Sequence, residues 1–175
     1  FSEERRLGTF ELLVTCPLRD WSILLGKFFA AATVGLLALA LCLIYPIIVQ
    51  RISEGEGMEW PVIAVSFAGS ALVICAFIAF GTFASSVTEN QMLAAILTFI
   101  GLLSFYLIGR MDLGQGKEWF NVNVGEVLDQ ISFLSHLENF TKGLVSLTDV
   151  SYFILFSAFF LMLTSKILEA RRWRV

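Results

Sequence analysis

Charge is what this sequence has least of. Charged residues make up 15% of it, against about 25% in a soluble domain. No Asp, Glu, Lys or Arg interrupts Phe28–Gln50, Trp60–Thr88 or Asn90–Gly109. A helix needs about 20 apolar residues to cross a hydrocarbon core of about 30 Å, and each of these runs is long enough. Hydrophobic residues reach 57% and the mean hydropathy is +0.80, which excludes a soluble fold. A fourth run, Val150–Ser165, is shorter; Lys166 can extend it to Leu168 by snorkelling.

Chemistry-bearing residues are as scarce. Cys16, Cys42 and Cys75 give no disulfide framework. With one histidine, no H-E-x-x-H and no G-x-S-x-G, the nucleophile and metal sets of intramembrane hydrolases are absent. No Asp, Glu, Lys or Arg sits in the middle of a run, so the usual sensor of a proton- or ion-coupled carrier is missing too. Gly26-Lys27 looks like the end of a phosphate loop, but Trp21 stands where glycine is required and Phe28 where Ser or Thr would follow. The chain is therefore not read as an enzyme, and no catalytic residue, metal, bound cofactor or nucleic-acid partner is assigned to it. His136 has two readings, a ligand or pH sensor and, more simply, a satisfied interface histidine. The sequence begins at Phe1 without Met or a signal-peptide pattern, and is read as a piece whose amino-terminal part is missing.

What is present begins with a polar-apolar elbow at 1–22. Ser2 is a plausible helix cap, with Glu3 and Glu4 in the first turn. Gly8 stops that turn, Thr9 can cap a second one, Phe10, Leu12 and Leu13 give it an apolar side, and Pro17 breaks it. Transmembrane helices are expected at 23–49, 61–87, 92–109 and 150–168, with a basic tail at 169–175. Pro46 should kink the far end of the first. The second is dense in small residues, Ser66, Gly69, Ser70, Ala71, Gly81 and Ser85, whose faces let helices approach closely in lipid. Thr88 and Gln91 read as a capping box opening the third. Between the third and fourth, 110–149 carries Val127, Leu128, Ile131, Phe133 and Leu134, then Leu137, Phe140 and Leu144, at near-helical spacing. That fits short amphipathic helices on or in the outer leaflet. The seventeen phenylalanines are read as packing or lipid-facing residues.

Orientation follows from Lys and Arg. Of 12 in total, eight (Arg5, Arg6, Arg19, Lys27, Lys166, Arg171, Arg172 and Arg174) fall on one side of a four-span arrangement and four on the other. The positive-inside rule makes both ends cytosolic. The missing part must then contribute an even number of spans. A bundle with no energy source of its own, entered through a structured cytosolic elbow, suggests imported energy. A passive anchor, a membrane scaffold or sensor that moves no solute, is the alternative reading of the same residues.

The elbow resembles the cytosolic loop of ABC-2 type permeases, the membrane subunits of a class of ABC exporters. The match runs through Glu3-Glu4-Arg5-Arg6, Gly8-Thr9, Glu11-Leu12-Leu13, Thr15, Pro17 and Gly26-Lys27. Phe1, Glu4 and Gly8 also resemble the F-x-x-E-x-x-x-G pattern of eye-pigment and multidrug half-transporters. Gly81–Gln91, Ser135–Tyr152 and the ending Leu168–Trp173 are similar to gliding-motility and copper-site-maturation permeases. The resemblance implies an all-α membrane protein carrying spans three to six of six, a cytosolic coupling helix and short re-entrant outer helices. It implies a bacterial inner-membrane location and three kinds of partner: a separate ATPase subunit that holds ATP and Mg, a second permease copy or paralogue, and membrane lipid. Phe1, Glu4, Gly8, Thr9, Phe10, Glu11, Leu12, Leu13 and Pro17 would then couple to the ATPase, with Gly26 and Lys27 at the entrance of the first span. Glu4 and Glu11 either pair with partner cations or stabilise helix starts. Phe10, Leu12 and Leu13 either fill a partner groove or lie against the membrane. Lys27 either snorkels to lipid phosphate or touches substrate.

Overall fold

The computed structural model describes residues 2–3, 8, 20–52, 59–108, 118–119, 122–123 and 132–172. Its long helices are α1 (Asp20–Cys42), α2 (Ile44–Ile52), α3 (Trp60–Val87), α4 (Gln91–Ile108), α5 (Phe133–Thr141) and α6 (Leu147–Arg172). The strands among the described residues are two-residue pieces, β1 (Glu118–Trp119) and β2 (Val122–Asn123), paired antiparallel. The stretch α1–α2 and the helices α3 and α6 are long and apolar enough to cross a membrane, and α4 is a shorter apolar helix. The 28 residues of α3 extend about 42 Å and the 18 of α4 about 27 Å. The architecture is that of an all-α membrane protein.

The first span is interrupted. Helix α1 stops at Cys42, four residues before Pro46, and Leu43 turns with its N–H on the Ala40 carbonyl at 3.1 Å. A proline removes the hydrogen bond to the carbonyl four residues back and crowds that same carbonyl, so the break sits at Cys42 rather than at the ring itself. Helix α3 starts with Pro61 in its first turn, where the missing N–H costs nothing. The turn into α4 differs from the expected capping box. Asn90, not Thr88, is the cap: its Oδ1 accepts from Met92 N–H at 2.9 Å and its carbonyl from Ala94 N–H at 3.0 Å. The Thr88 hydroxyl instead donates back to Ala84 O at 3.2 Å.

Helix α3 is the hub, touching α1, α4, α5 and α6. Its buried positions are all small: Gly69, Ala76, Ala79, Ala84 and Ser86. In lipid there is no hydrophobic drive between helices, and close van der Waals contact takes its place. Around this hub runs a chain of rings. Phe133 of α5 lies 4.9 Å from Phe156 of α6, Phe156 lies 4.6 Å from Phe160, and Phe160 lies 4.9 Å from Phe80 and 5.3 Å from Phe83 of α3. Each such pair adds about 0.5–1.5 kcal/mol, and together they pin α6 to α3 along its length.

Helix α5 is seated at the end of the bundle away from Ser2. Ser132 caps it, accepting from the N–H groups of Leu134 and Ser135 at 3.2 and 3.5 Å. Gly143, at φ 77°, ends it: Gly143 N–H reaches Phe140 O and Leu144 N–H reaches Asn139 O, a Schellman closure that needs a left-handed residue. Its buried face is Phe133, His136 and Phe140. The expected apolar positions Val127, Leu128 and Ile131 lie outside the described residues. Leu24 of α1 and Leu168 of α6 bury in one cluster, so the first span starts and the last ends at the same end of the bundle. Helix α6 runs on to Arg172, making the first part of the expected tail its last turn.

Candidate coupling site

Among the described residues, polar side chains are buried at each end of the bundle. At the amino-terminal end, Ser2 is helical and buried, 4% exposed. Its N–H donates to Ser85 Oγ at 3.0 Å, and the two hydroxyls lie 3.2 Å apart. Ser85 stands in the last turns of α3, so the elbow is attached to the hub helix as well as to α1, which continues it. Gly8 has φ +70° with open space where a Cβ would stand; its requirement for glycine is therefore a backbone one. Leu24, Phe28 and Ala32 bury the foot of α1, Leu24 and Phe28 in one cluster with Ala79 of α3 and with Phe160, Leu161 and Leu168 of α6. A push on this end of the chain meets α1, α3 and α6 together.

Gly26 and Lys27 are described residues on the second turn of α1. Gly26 is exposed, with nothing within 4 Å of its added Cβ. Lys27 lines a cleft of about 500 Å³ between α1, α3 and α4, together with Ser85 and Thr98. Phe1, Glu4, Thr9, Phe10, Glu11, Leu12, Leu13 and Pro17, the other expected coupling residues, lie outside the described residues. Replacing Ser85 by alanine removes the acceptor of a buried N–H and should cost about 1 kcal/mol. Thr82→Ala, whose hydroxyl bonds Ala79 O on its own helix, should cost clearly less in the same thermal-melt comparison. Equal shifts would mean that the Ser2 contact does not hold the elbow.

At the opposite end, His136 and Asp149 are 9% and 3% exposed, and His136 Nδ1–H donates to Asp149 Oδ1 at 2.6 Å. The donor must be the ring nitrogen, because a carboxylate has no proton to give. Asn139 Nδ2 donates to the other oxygen at 2.8 Å, and the imidazole stacks on Tyr152 at 4.2 Å and 22°. His136 is thus the satisfied histidine of the simpler reading. Its partners were not foreseen: Asp149 reads in sequence as a first-turn carboxylate three residues after the cap Ser146, whose Oγ accepts from Thr148 N–H at 3.3 Å. The i, i+3 pairs His136–Asn139 and Asp149–Tyr152 are the one signal that could have found the cluster.

These features define a multi-pass membrane protein: apolar helices around a small-residue hub, with an elbow bonded to the hub at one end and a polar clamp at the other. The family described as ABC-2 family transporter protein matches residues 1–168, and the chain belongs to that family. No curated protein and no solved structure matches it. Family membership makes the chain a membrane-spanning permease subunit of an ABC transporter rather than a catalytic one, and implies in general an ABC ATPase as partner.

Proposed function

We propose that this permease works in an exporter of the inner membrane and moves its helices with force made by ATP hydrolysis in a separate nucleotide-binding subunit. The observation that carries the reading is the bond between Ser2 and Ser85, within an elbow that the family match covers from its first residue. Displacement of that elbow is delivered to α1 through the chain and to α3 through the two serines. Because α3 touches α1, α4, α5 and α6, the push reaches all four of these helices. Glu4, before Gly8 and Thr9, and Phe10, Glu11, Leu12 and Leu13, between Thr9 and Pro17, supply charge and apolar surface for the ATPase groove, and Phe1 belongs to the same elbow. ATP and Mg stay in the partner. The elbow and both ends of the chain are cytosolic, by the excess of Lys and Arg there. A second permease copy or paralogue completes the path, and the gliding-motility and copper-site-maturation permeases are the branch it resembles.

The test is assembly with the ATPase chain. Glu4→Arg combined with Leu12→Asp puts a like charge and a buried carboxylate into the contact, and should lower recovery of the ATPase in gentle detergent by at least about tenfold. Stimulated ATP hydrolysis should fall with it. Unchanged recovery and unchanged hydrolysis would sink the coupling role and favour a scaffold or sensor that moves no solute.

A further inference from the structure

The cleft at the Ser2 end of the bundle has a chemistry that the coupling role does not use. It is a furrow of about 500 Å³ lined by α1, α3 and α4. Ile78 and Leu102 give it apolar lining, Lys27 a cation, and Thr82, Ser85 and Thr98 hydroxyl groups. Thr82 spends its proton on Ala79 O at 2.8 Å and Thr98 on Ala94 O at 2.7 Å, so what these two offer a ligand is acceptor capacity. An ammonium has three N–H donors and can share them among several acceptors. The furrow therefore suits a molecule with an apolar tail, an anionic group for Lys27, and hydroxyl donors beside that group.

We infer that this furrow is a binding site for an anionic phospholipid with a hydroxyl-bearing headgroup, taken from the leaflet at the Ser2 end. The phosphate lies at Lys27, the headgroup hydroxyls at the Thr and Ser oxygens, and one acyl chain runs along Ile78 and Leu102. Size favours a lipid over protein: at a helix diameter of about 10 Å the furrow holds roughly one turn, too little to seat another span. Since Ser85 both lines the furrow and accepts from Ser2, a bound headgroup sits beside the elbow contact, and occupancy bears on how firmly the elbow is held. That last link rests on the coupling reading; the lipid site does not.

The full-length protein is placed in phosphatidylcholine nanodiscs doped with phosphatidylglycerol or phosphatidylcholine carrying the same photoactivatable acyl chain, and adducts are mapped by mass spectrometry. Phosphatidylglycerol should give about fivefold more adduct on α3 and α4 peptides than phosphatidylcholine, the effect of about one cation at a membrane surface. Lys27→Gln should reduce it to the phosphatidylcholine level, Lys27→Arg should retain it, and Lys142→Gln at the other end should leave it unchanged. Ala31→Trp, which fills the furrow, should lower both lipids. Equal yields for the two lipids, no response to Lys27→Gln, an equal response to Lys142→Gln, or protein-protein adducts in place of lipid would each overturn the site. The adduct is read with no ATPase chain present, so its failure and failure of the coupling role are separate results.

Discussion

Asp149→Ala should destabilise the protein by about 2–4 kcal/mol, because the buried His136 N–H and the half-buried Asn139 N–H both lose their acceptor, at about 1–3 kcal/mol for a buried donor. In a melt of the detergent-solubilised chain this is a fall of roughly 10 °C. The size follows from what is left behind. Asp149 takes His136 on one oxygen and Asn139 on the other, and with 3% of its surface exposed no bulk water replaces it. His136 sits between the carboxylate and the Tyr152 ring, so it cannot turn to another acceptor without losing the stack. Asp149→Asn keeps one good acceptor oxygen and should fall between. His136→Phe retains a ring against Tyr152 and has no donor to satisfy, so Asp149→Ala should cost less in that background, with a coupling of about 1–3 kcal/mol. Additive effects of the two substitutions, or a loss below about 1 kcal/mol for Asp149→Ala, would show that the three side chains are neighbours rather than a clamp.

The membrane fold was legible because its signal is coarse. A run such as Trp60–Thr88 without a charged side chain leaves one solution, an apolar helix, and α3 fills it. Finer features depended on which of two local rules won. At Pro46 the clash with the carbonyl four residues back sets the helix end at Cys42, so the break precedes the residue that causes it. At the α3–α4 turn both Thr88 and Asn90 can cap; Asn90 wins because it stands immediately before the helix, while Thr88 is drawn back to Ala84 O. The clamp was legible only as two separate i, i+3 pairs, with nothing to join them. His136 and Asp149 come together only because the Gly143 closure folds α5 back against α6, and that angle is written in no periodicity. Of the expected coupling residues Gly8 can be placed, and so can both membrane-entry residues, Gly26 and Lys27. The identity of the elbow came from its motif, and its bond to α3 depended on a residue, Ser2, that sequence reasoning treated only as a cap.

The ring chain joins these two ends. Phe83 stands on the same stretch of α3 as Ser85, and its ring meets Phe160; Phe160 meets Phe156, and Phe156 meets Phe133 of α5. Packed aromatic rings transmit displacement because their contacts are close and directional. In the coupling reading a push at the elbow bears on α3, α6 and α5 together, while α2 has no buried residue and faces α3 across a cleft lined by Tyr45, Val49, Val62 and Ser66. In the exporter reading, the part free to move relative to those three helices is the outer half of the first span.

Gly69→Leu should separate α5 from α3 and α6. A Cβ at Gly69 would stand 2.5 Å from Phe140 Cγ and 2.6 Å from its Cβ. The second contact cannot be relieved by turning the ring, since Cβ is fixed to the backbone of α5. That backbone is itself held: Phe140 O accepts from Ser66 Oγ at 3.0 Å, and Phe140 is 1% exposed. Even alanine must push α5 outward, and leucine further, at a cost of about 1–3 kcal/mol or more for overpacking. The hydrogen bond from Ser66 and the ring contacts of Phe133 weaken with it. Helix propensity works the other way, because glycine inside a helix gives up about 1 kcal/mol to leucine, so a stabilised Gly69→Leu protein would mean that α5 is not seated where this structure places it. Phe140→Gly in the Gly69→Leu background removes both the ring and the Cβ that obstruct, so the double change should cost less than the two single losses added together, a rescue of about 1–2 kcal/mol. Without that rescue, the destabilisation would have to come from elsewhere on α3, and the close approach at Gly69 would not be what holds the outer helix down.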